Sequence, residues 1–386
     1  MDESMPPAAS RATPATSAVL RAPPSDARSA AARAQRYRAS LVPPAAYPAL
    51  LVGLALAVVG SILLAITVGS VAMPVDTVWS TVFHHLAWWD HSAPADKLSD
   101  AVIWTFRVPR ALLAVVVGAG LAAAGTVLQA IVRNALADPY VLGVAQGGTF
   151  GAVIAIAVGT AAAGRLVLSG AAFAGAMLSL LVVLLLGRRR GRIDPTRLVL
   201  AGVAVGYLFM AGTSYIELRM SNGQSLAGVL FWLLGTVASA SWEDLGVPTL
   251  VVLVTTAWLV LQARPLNALI TGEESAIALG VDVHRFRRQL LVVASLLTGV
   301  VVAVAGGVGF VGLMIPHIAR FLVGADHRRL LPVVVLLGAL FLELVDIGAR
   351  TLASPLELPL SVITAAIGAP FFLWLLRRSD STTAVA

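Results

Sequence analysis

Residues 264–288 read RPLNALITGEESAIALGVDVHRFRR, and this stretch is the longest polar interruption in the second half of the chain. Apolar runs of membrane-spanning length precede it at 242–262 and follow it at 290–305. Its four arginines favour the cytoplasmic side of a membrane. Residues 273–279 are predicted to form two helical turns between Gly272 and a C-capping Gly280. A short helix held between two spans is a good shape for docking a soluble partner, although composition alone fits a solvated loop equally well.

The composition is that of an integral membrane protein. Hydrophobic residues make up 58% of the 386 residues and charged residues only 12%, with a mean hydropathy of +0.89, whereas a soluble domain carries about 25% charged residues. The net charge of +7 would suit nucleic acid, but the charges lie in loops between apolar runs, which fits membrane topology better. We therefore expect membrane lipid, and no nucleic acid, around this chain.

The cysteine and lysine content excludes certain kinds of site. The chain has no cysteine, so it holds neither a disulfide framework nor a thiolate metal site. Its single lysine, Lys97, lies in the sequence ADKLSD, whereas a P-loop requires Gly-x-x-x-x-Gly-Lys-Ser/Thr. The chain therefore has no P-loop to bind ATP and is not expected to be an enzyme of the P-loop class, nor to hold a cofactor or metal.

Apolar segments predict an all-α polytopic fold with about ten transmembrane helices. A span needs about 20 residues, so the segment at 314–322 is too short to cross alone and is predicted to be a half-helix sheltered by protein. The ten segments are 47–70, 111–132, 142–158, 167–186, 198–218, 242–262, 290–305, 314–322, 330–349 and 360–376.

The distribution of arginine sets the expected orientation. Most of the basic residues fall in segments on the same side as the N-terminus, which predicts ten crossings with both termini in the cytoplasm. Residues 1–46 are rich in Ala, Pro, Ser and Arg without an apolar period, and they are predicted to be a disordered cytoplasmic tail. Outside the spans, residues 74–89 and 224–234 are predicted to be interfacial helices.

Glycine and other small residues predict how the spans pack. They recur every four residues at 143, 147 and 151 and at 114, 118 and 122, a pattern that lets membrane helices approach closely. Residues 305–312 read AGGVGFVG and are followed by Pro316, so this stretch is not expected to be a continuous helix. Broken backbone at membrane depth is typical of transporters, and the alternative is a simple turn outside the membrane.

Seven motifs in order resemble the FecCD-type permeases, the membrane subunits of type II ABC importers for iron-siderophore, haem and cobalamin. The resemblance covers about residues 47–378, which define the permease domain and leave 379–386 as a short C-terminal tail. Ala135 and Ser361 depart from the usual Pro and Gly of the family pattern, and residues 145–148 also differ. The motifs are RVPR (107–110), QAIVRNALADPYVLG (129–143), GEESAIALG (272–280), GFVGLMIPHIAR (309–320), DHRRLLP (326–332), Asp346 with Arg350, and Leu358-Pro359 with Thr364-Ala365 and Gly368-Ala369-Pro370.

The resemblance implies partners as well as a fold. It implies a homodimer, or a heterodimer with a related permease, two ABC ATPase subunits, and a periplasmic or lipid-anchored substrate-binding protein at the bacterial plasma (inner) membrane. It makes residues 272–280 the segment that couples to the ATPase. Its members are Gly272, Glu273, Glu274, Ser275, Ala276, Ile277, Ala278, Leu279 and Gly280.

The resemblance also implies two further groups of site residues. Arg107, Arg110 and Arg350 match arginines that meet glutamates of the binding protein, and the alternative is that they are snorkelling side chains at the interface. In the family the fifth span lines the pathway, and its polar residues here are Tyr207, Thr213 and Tyr215.

Several polar residues can be interpreted through contacts with other groups of this chain. Asp346 precedes Arg350 by one helical turn, so an internal ion pair is the alternative for this pair, and Glu343 lies near enough to join it. Gln129 and Gln146 either line the pathway or bond across helices. Four histidines are expected to be structural because no set of metal ligands surrounds them in sequence. They are His84, His85, His317 and His327.

The predicted function is therefore import of a large metal chelate, most simply a ferric siderophore, with cobalamin, haem or another large cofactor as alternatives. The rival class is an intramembrane enzyme that would use Asp346 and Glu343 as paired carboxylates. The apolar spans lack the Gly-x-Gly-Asp setting that such enzymes use, and the charge rings or carbonyl filters of a channel are also missing from the sequence.

Overall fold

The computed structural model describes residues 41–69, 73–86, 96–139, 143–160, 164–189, 192–193, 195–220, 229–230 and 232–380. The described helices are α1 (Tyr47–Thr67), α2 (Val75–Leu86), α3 (Val108–Val132), α4 (Val144–Ala157), α5 (Arg165–Leu186), α6 (Pro195–Arg219), α7 (Gly246–Leu261), α8 (Ala263–Thr271), α9 (Glu273–Ala278), α10 (Val283–Ala305), α11 (Val311–Val323), α12 (His327–Thr351) and α13 (Leu360–Asp380).

Shorter elements connect these helices. A four-residue helix, Lys97–Asp100, and a π-helix, Ala101–Arg107, lead directly into α3, and 3-10 turns precede α1 (Pro44–Ala46) and α7 (Trp242–Asp244). Between α5 and α6 lie two antiparallel two-residue strands, β1 (Arg188–Arg189) and β2 (Arg192–Ile193).

Each of the ten predicted apolar segments corresponds to one apolar helical stretch among the described residues. Seven helical stretches are long and apolar enough to cross a membrane, and three shorter apolar helices accompany them at Val144–Ala157, Val311–Val323 and Leu360–Leu375. The all-α polytopic fold is therefore confirmed. The predicted half-helix is α11, whose 13 residues rise about 20 Å, less than the roughly 30 Å of a bilayer core. The long stretches are Pro44–Thr67, Lys97–Val132, Leu166–Leu186, Thr196–Arg219, Trp242–Leu261, Val283–Ala305 and His327–Thr351.

Helix α3 is the centre of the bundle. It is buried along almost its whole length and packs against α10, α11 and α12. The predicted small-residue faces lie at its closest contacts, since a side-chain carbon added to Gly118 or Gly125 would overlap the backbone of Gly338 or Gly312. Gly147 meets Gly175 of α5 in the same way. Small residues therefore let these backbones touch, as the pattern predicted.

The chain breaks between α10 and α11, as the glycines predicted. Helix α10 ends at Ala305, and Gly306 has a φ of 67° and lies so close to the carbonyl of Trp232 that no side chain fits. The Thr236 N–H donates to the Ala305 carbonyl at 2.8 Å, and the Ser361 hydroxyl donates to the Gly307 carbonyl at 2.7 Å. Neighbouring segments thus satisfy the broken backbone, which an apolar environment requires. Pro316 does not end the helix, because it lies inside α11.

Some predictions fall partly outside the described residues. Of the predicted tail, residues 1–40 lie outside them, while the N–H groups of Leu41 and Val42 donate to the carbonyls of Phe321 and Leu322 at the end of α11. Helix α13 continues two residues past the predicted boundary at 378. Of the predicted interfacial helices, the first is described as α2, without residues 87–89, and most of 224–234 is not described.

Candidate functional site

Two arginines one turn apart enter the bundle where the π-helix meets α3. Arg107 ends the π-helix and Arg110 lies in the first turn of α3, and both side chains are buried. Arg110 Nε donates to both carboxylate oxygens of Asp346, at 3.0 and 3.1 Å, and its Nη1 donates to Glu357 at 2.9 Å. Such forked contacts fix both partners in position.

Asp346 is shared by two arginines. Arg350, one turn later on α12, lies 2.9 Å from its second oxygen, so the predicted internal ion pair is confirmed. Asp346 and Arg350 are both buried. Glu343 is also fully buried, but its carboxylate oxygens have no hydrogen-bond or ion-pair partner among the described residues. The carboxylate pair of the rival enzyme reading therefore does not form, because Asp346 is occupied by arginines.

Arg107 and Arg350 also cap the end of α1. Arg107 Nη1 donates to the carbonyls of Ile66 and Thr67 at 2.9 and 3.0 Å, and Arg350 Nη1 donates to that of Ala65 at 3.0 Å. The last carbonyls of a helix lack partners within it and carry partial negative charge. Arginines from the π-helix and from α12 therefore fasten the end of α1 to the centre of the bundle.

All three predicted docking arginines line one pocket. Its volume is about 230 Å³, and Glu357, Gly69, Phe106 and other residues complete the lining. We call this the arginine pocket, and the end of the bundle that holds it the arginine end. Each of the three arginines already has partners within the chain, so docking by them stays a prediction; what the structure adds is that they converge on a single cavity.

The predicted coupling helix exists and is α9, Glu273–Ala278. Gly272, with a φ of 139°, precedes it and Gly280, with a φ of 80°, follows it. The Val281 N–H donates to the Ala276 carbonyl at 3.0 Å and the Gly280 N–H to that of Ile277 at 2.9 Å. This is the hydrogen-bond pattern of a Schellman C-cap. Six residues are too few for a stable isolated helix, so the two glycine ends and the packing of Ala276 hold it.

Two apolar side chains of this segment point away from the protein. Ile277 and Leu279 are exposed, whereas Ala276 is fully buried. Glu273 forms an ion pair with the buried Arg287 of α10, at 3.5 Å. The segment 272–280 thus has one face fixed to the bundle and an apolar face open to a partner. That the partner is an ATPase stays a prediction at this point.

Asn267, one turn before α9, bonds to the start of α12. Its amide nitrogen donates to Asp326 at 2.6 Å, and its oxygen accepts from the His327 N–H at 2.9 Å. The side-chain oxygen of Asp326 also accepts from the Arg328 N–H, as an N-cap does. Burial raises the pKa of Asp326, but the Arg328 N–H and the Asn267 amide outweigh burial, so the pKa lies below its usual value. The carboxylate is therefore ionised at neutral pH.

The predicted pathway residues of α6 do not share one face. Tyr207 and Tyr215 are 65% and 61% exposed, and with Leu208, Ala211 and other residues they form a continuous open face. Thr213 is buried, and its hydroxyl donates to the Phe209 carbonyl at 2.9 Å. Thr213 therefore does not lie on this open face, and lining of the pathway by these three residues stays a prediction.

Gln129 bonds across helices. Its amide donates to the carbonyls of Gly312 and Leu313, both at 3.3 Å, and its oxygen accepts from Arg320. It therefore ties α3 to both ends of α11. The Oε1 atom of Gln146 has no partner among the described residues.

The histidines have local partners. His85 lies 2.6 Å from Asp100 and stacks on Trp104, and His317 contacts the rings of Phe321 and Phe371. Within the described part of the chain no three metal-ligating side chains come together.

Sequence reasoning missed three residues that the structure places in these sites. Asn267 and Glu357 are single polar residues without a local pattern, and their partners lie 59 and 247 residues away. Ser361 carried a signal, since it departs from the family glycine, and its hydroxyl bonds to the break between α10 and α11. A departure from a motif therefore marked a structural contact.

Comparisons with known proteins match most of the chain. The model of the FecCD transport family matches residues 54–378. The cobalamin import system permease protein BtuC of Halobacterium salinarum is 43% identical over 284 residues, which cover 74% of this chain and 75% of that protein. The vitamin B12 import system permease protein BtuC of Vibrio cholerae is 39% identical over 286 residues, covering 74% and 86%.

A solved structure has the same fold. It is described as an inward-facing conformation of an ABC transporter of the metal-chelate type. The match has a TM-score of 0.73 at 34% identity and covers 86% of this chain and 99% of that chain.

Proposed function

Because the chain belongs to the FecCD transport family, it is the permease subunit of an ABC importer, and we propose that its cargo is a large metal chelate, cobalamin in the first place. ATP hydrolysis belongs to separate ATPase subunits. The proposal that cobalamin is the cargo rests on the 43% identity to a permease named for cobalamin import. A ferric siderophore, expected from the sequence, is the second candidate, and the likeness to a metal-chelate type transporter favours it.

The open face of α6 supports a wide pathway rather than a tight site. Tyr207 and Tyr215 stand on it among exposed apolar side chains such as Leu208 and Met210. Apolar walls offer few directional hydrogen bonds, so a bulky chelate would pass without being held, whereas a binding site needs placed polar groups. A second copy of this chain, or a related permease, completes the pathway opposite this face.

The two ends of the bundle support two docking partners. Exposed Ile277 and Leu279 offer an apolar contact to the ATPase, and the arginine pocket offers cations to carboxylates of a substrate-binding protein. In the mechanism, the loaded binding protein docks at the arginine end. ATP-driven closure of the ATPase pair moves α9. The bundle then changes from being open on one side of the membrane to being open on the other. Hydrolysis resets it.

We place α9 in the cytoplasm and the arginine end outside. A cysteine at exposed Ser275 should react with an impermeant maleimide only from the cytoplasm, and one at exposed Leu352 only from the outside. The chain has no native cysteine, so the labelling has no background. The reverse pattern would overturn both docking assignments.

Cargo is tested by reconstitution. The chain, its cognate ATPase and its binding protein are placed in proteoliposomes, and ATP-dependent uptake of radiolabelled cyanocobalamin is measured with an excess of ferric siderophore as competitor. Uptake of a radiolabelled ferric siderophore is measured in parallel. The control uses an ATPase subunit whose P-loop lysine is replaced. Uptake that requires ATP and resists the siderophore supports cobalamin; siderophore uptake without cyanocobalamin uptake selects the second candidate. Uptake of neither contradicts the metal-chelate proposal.

A further inference from the structure

The side chain of Asn267 joins two elements that are far apart in sequence. It donates to the N-cap carboxylate of Asp326 at 2.6 Å, accepts from the His327 N–H at 2.9 Å, and its oxygen lies 2.8 Å from His327 Nδ1. We call these contacts the Asn267 clasp. Only a side chain that both donates and accepts makes this set of bonds, and an amide does so.

On one side, the clasp holds the segment that carries α9. Helix α8 buries Leu266 and Leu269 completely, and only Gly272 separates its end from α9. The second attachment of α9 is the ion pair of Glu273 with Arg287. A displacement of α9 is therefore expected to move α8, because a single residue separates the two helices.

On the other side, the clasp holds the start of the long helix α12. Helix α12 has 25 residues, which rise about 37 Å, and it starts directly at the clasp. Its far end carries Asp346 and Arg350, which organise the arginine pocket. Midway, Gly338 packs directly against Gly118 of α3, whose first turn carries Arg110. A movement at the clasp is thus carried by packed helices to the opposite end of the bundle.

We propose that Asn267 is a positioning residue for coupling: by fastening the α8–α9 segment to the start of α12, it transmits the movement of the ATPase to the arginine pocket. This inference rests on the proposed function, in which α9 docks the ATPase and the arginine pocket docks the binding protein. The proposed role is to position elements within this chain, which is distinct from docking either partner.

The test exchanges the two clasp side chains. Asn267→Asp alone places two carboxylates 2.6 Å apart and breaks the clasp by repulsion. Asn267→Asp together with Asp326→Asn restores the bond between the two side chains, because the carboxylate at 267 accepts from the amide nitrogen at 326 and from the His327 N–H. The Arg328 N–H then loses its acceptor, because the same Asp326 oxygen accepts from both Asn267 and Arg328. Asp326→Asn alone keeps every bond and serves as the matched control.

The readout is ATP hydrolysis in nanodiscs that contain the chain and its cognate ATPase, with and without the cognate binding protein. We expect Asn267→Asp to keep ATPase assembly and basal hydrolysis but to lose about tenfold of the stimulation by the binding protein, the effect of one lost charged hydrogen bond. The exchanged pair should restore the stimulation, and Asp326→Asn alone should keep it. Thermal stability of all four proteins is measured to separate positioning from folding.

Unchanged stimulation in Asn267→Asp would overturn the inference, and so would a folded exchanged pair that fails to rescue. If Asn267→Asp does not fold, Asn267→Ala takes its place in the same comparison. Failure of the proposed function looks different: Leu279→Asp, on the exposed face of α9, would then leave ATPase assembly intact, whatever Asn267 does.

Discussion

Gly118 of α3 and Gly338 of α12 meet backbone to backbone, so that a side-chain carbon on either glycine would overlap the carbonyl oxygen of the other. Two long helices that both end in the arginine pocket are therefore fixed to each other near their middles. The contact works because neither residue has a side chain, and it makes α3 and α12 a single rigid pair.

Replacing Gly338 by alanine should lower the stability of the protein. The added methyl group must push α3 and α12 apart, and such overpacking costs about 1–3 kcal/mol. Thermal unfolding in detergent, followed by intrinsic fluorescence, measures the change. Gly53→Ala in α1 is the control, because no atom lies within 4 Å of its added carbon; an equal loss in both variants would contradict the close-contact interpretation.

Asp346→Asn should be far more damaging than Glu357→Gln. Asp346 is buried between two arginines, and leaving buried charges unpaired costs about 3–5 kcal/mol. Glu357 is partly exposed and, within the described part of the chain, pairs with Arg110, so its loss should cost about 1 kcal/mol or less. The yield of folded protein and its melting temperature check the order. Similar values for the two variants would mean that Asp346 does not hold the network.

Arg107→Gln should weaken docking of the binding protein by about tenfold, the effect of one charge-assisted bond. This variant tests docking more cleanly than a change at Arg110, because Arg107 has backbone carbonyls rather than Asp346 as its described acceptors. Binding by the wild type should also fall with salt, since the Debye length shrinks from about 10 Å at 0.1 M to about 3 Å at 1 M.

Surface plasmon resonance with the cognate binding protein measures this affinity. Lys97→Gln removes an exposed positive charge that lies outside the arginine pocket and is the matched control. If a folded Arg107→Gln variant binds as tightly as Lys97→Gln at low salt, the arginine pocket is a structural feature and not a docking site.

Leu279→Asp should prevent assembly with the ATPase. Leu279 is 72% exposed next to α9, and burying an unpaired carboxylate in an apolar contact is strongly unfavourable. Leu352→Asp alters a leucine that is 73% exposed at the arginine end, so it removes the same apolar group at the far side of the protein. Co-purification of the ATPase should be lost only in Leu279→Asp. Loss in both, or in neither, would contradict docking at α9.

Cysteines on α6 should separate a water-filled pathway from a lipid contact. Tyr207→Cys and Tyr215→Cys should react with a charged maleimide, and Thr213→Cys should not, because Thr213 is buried. Leu56→Cys, on the exposed apolar face of α1, is the lipid-facing control. Labelling is read by mass shift of the intact protein. If Tyr207→Cys and Tyr215→Cys stay as unreactive as Leu56→Cys, the open face of α6 contacts lipid.

The sequence by itself determined the features that depend on local composition. Apolar length predicted all ten membrane segments, glycine spacing predicted the close contact at Gly118, and the glycines at 306, 307 and 309 predicted the break before α11. Each follows from properties of neighbouring residues: transfer into lipid, side-chain size and backbone freedom. Motif order added the family.

Only the tertiary structure decided the partners of the polar residues. Arg110 finds Asp346 across 236 residues, and Asn267 finds Asp326 across 59. Thr213 is buried although the next two residues, Ser214 and Tyr215, are exposed. Hydrogen bonds and ion pairs act over a few ångströms, so they are fixed by how the helices pack and not by separation along the chain. That is why a list of polar residues could be read from the sequence, while the network that joins the two ends of the bundle could not.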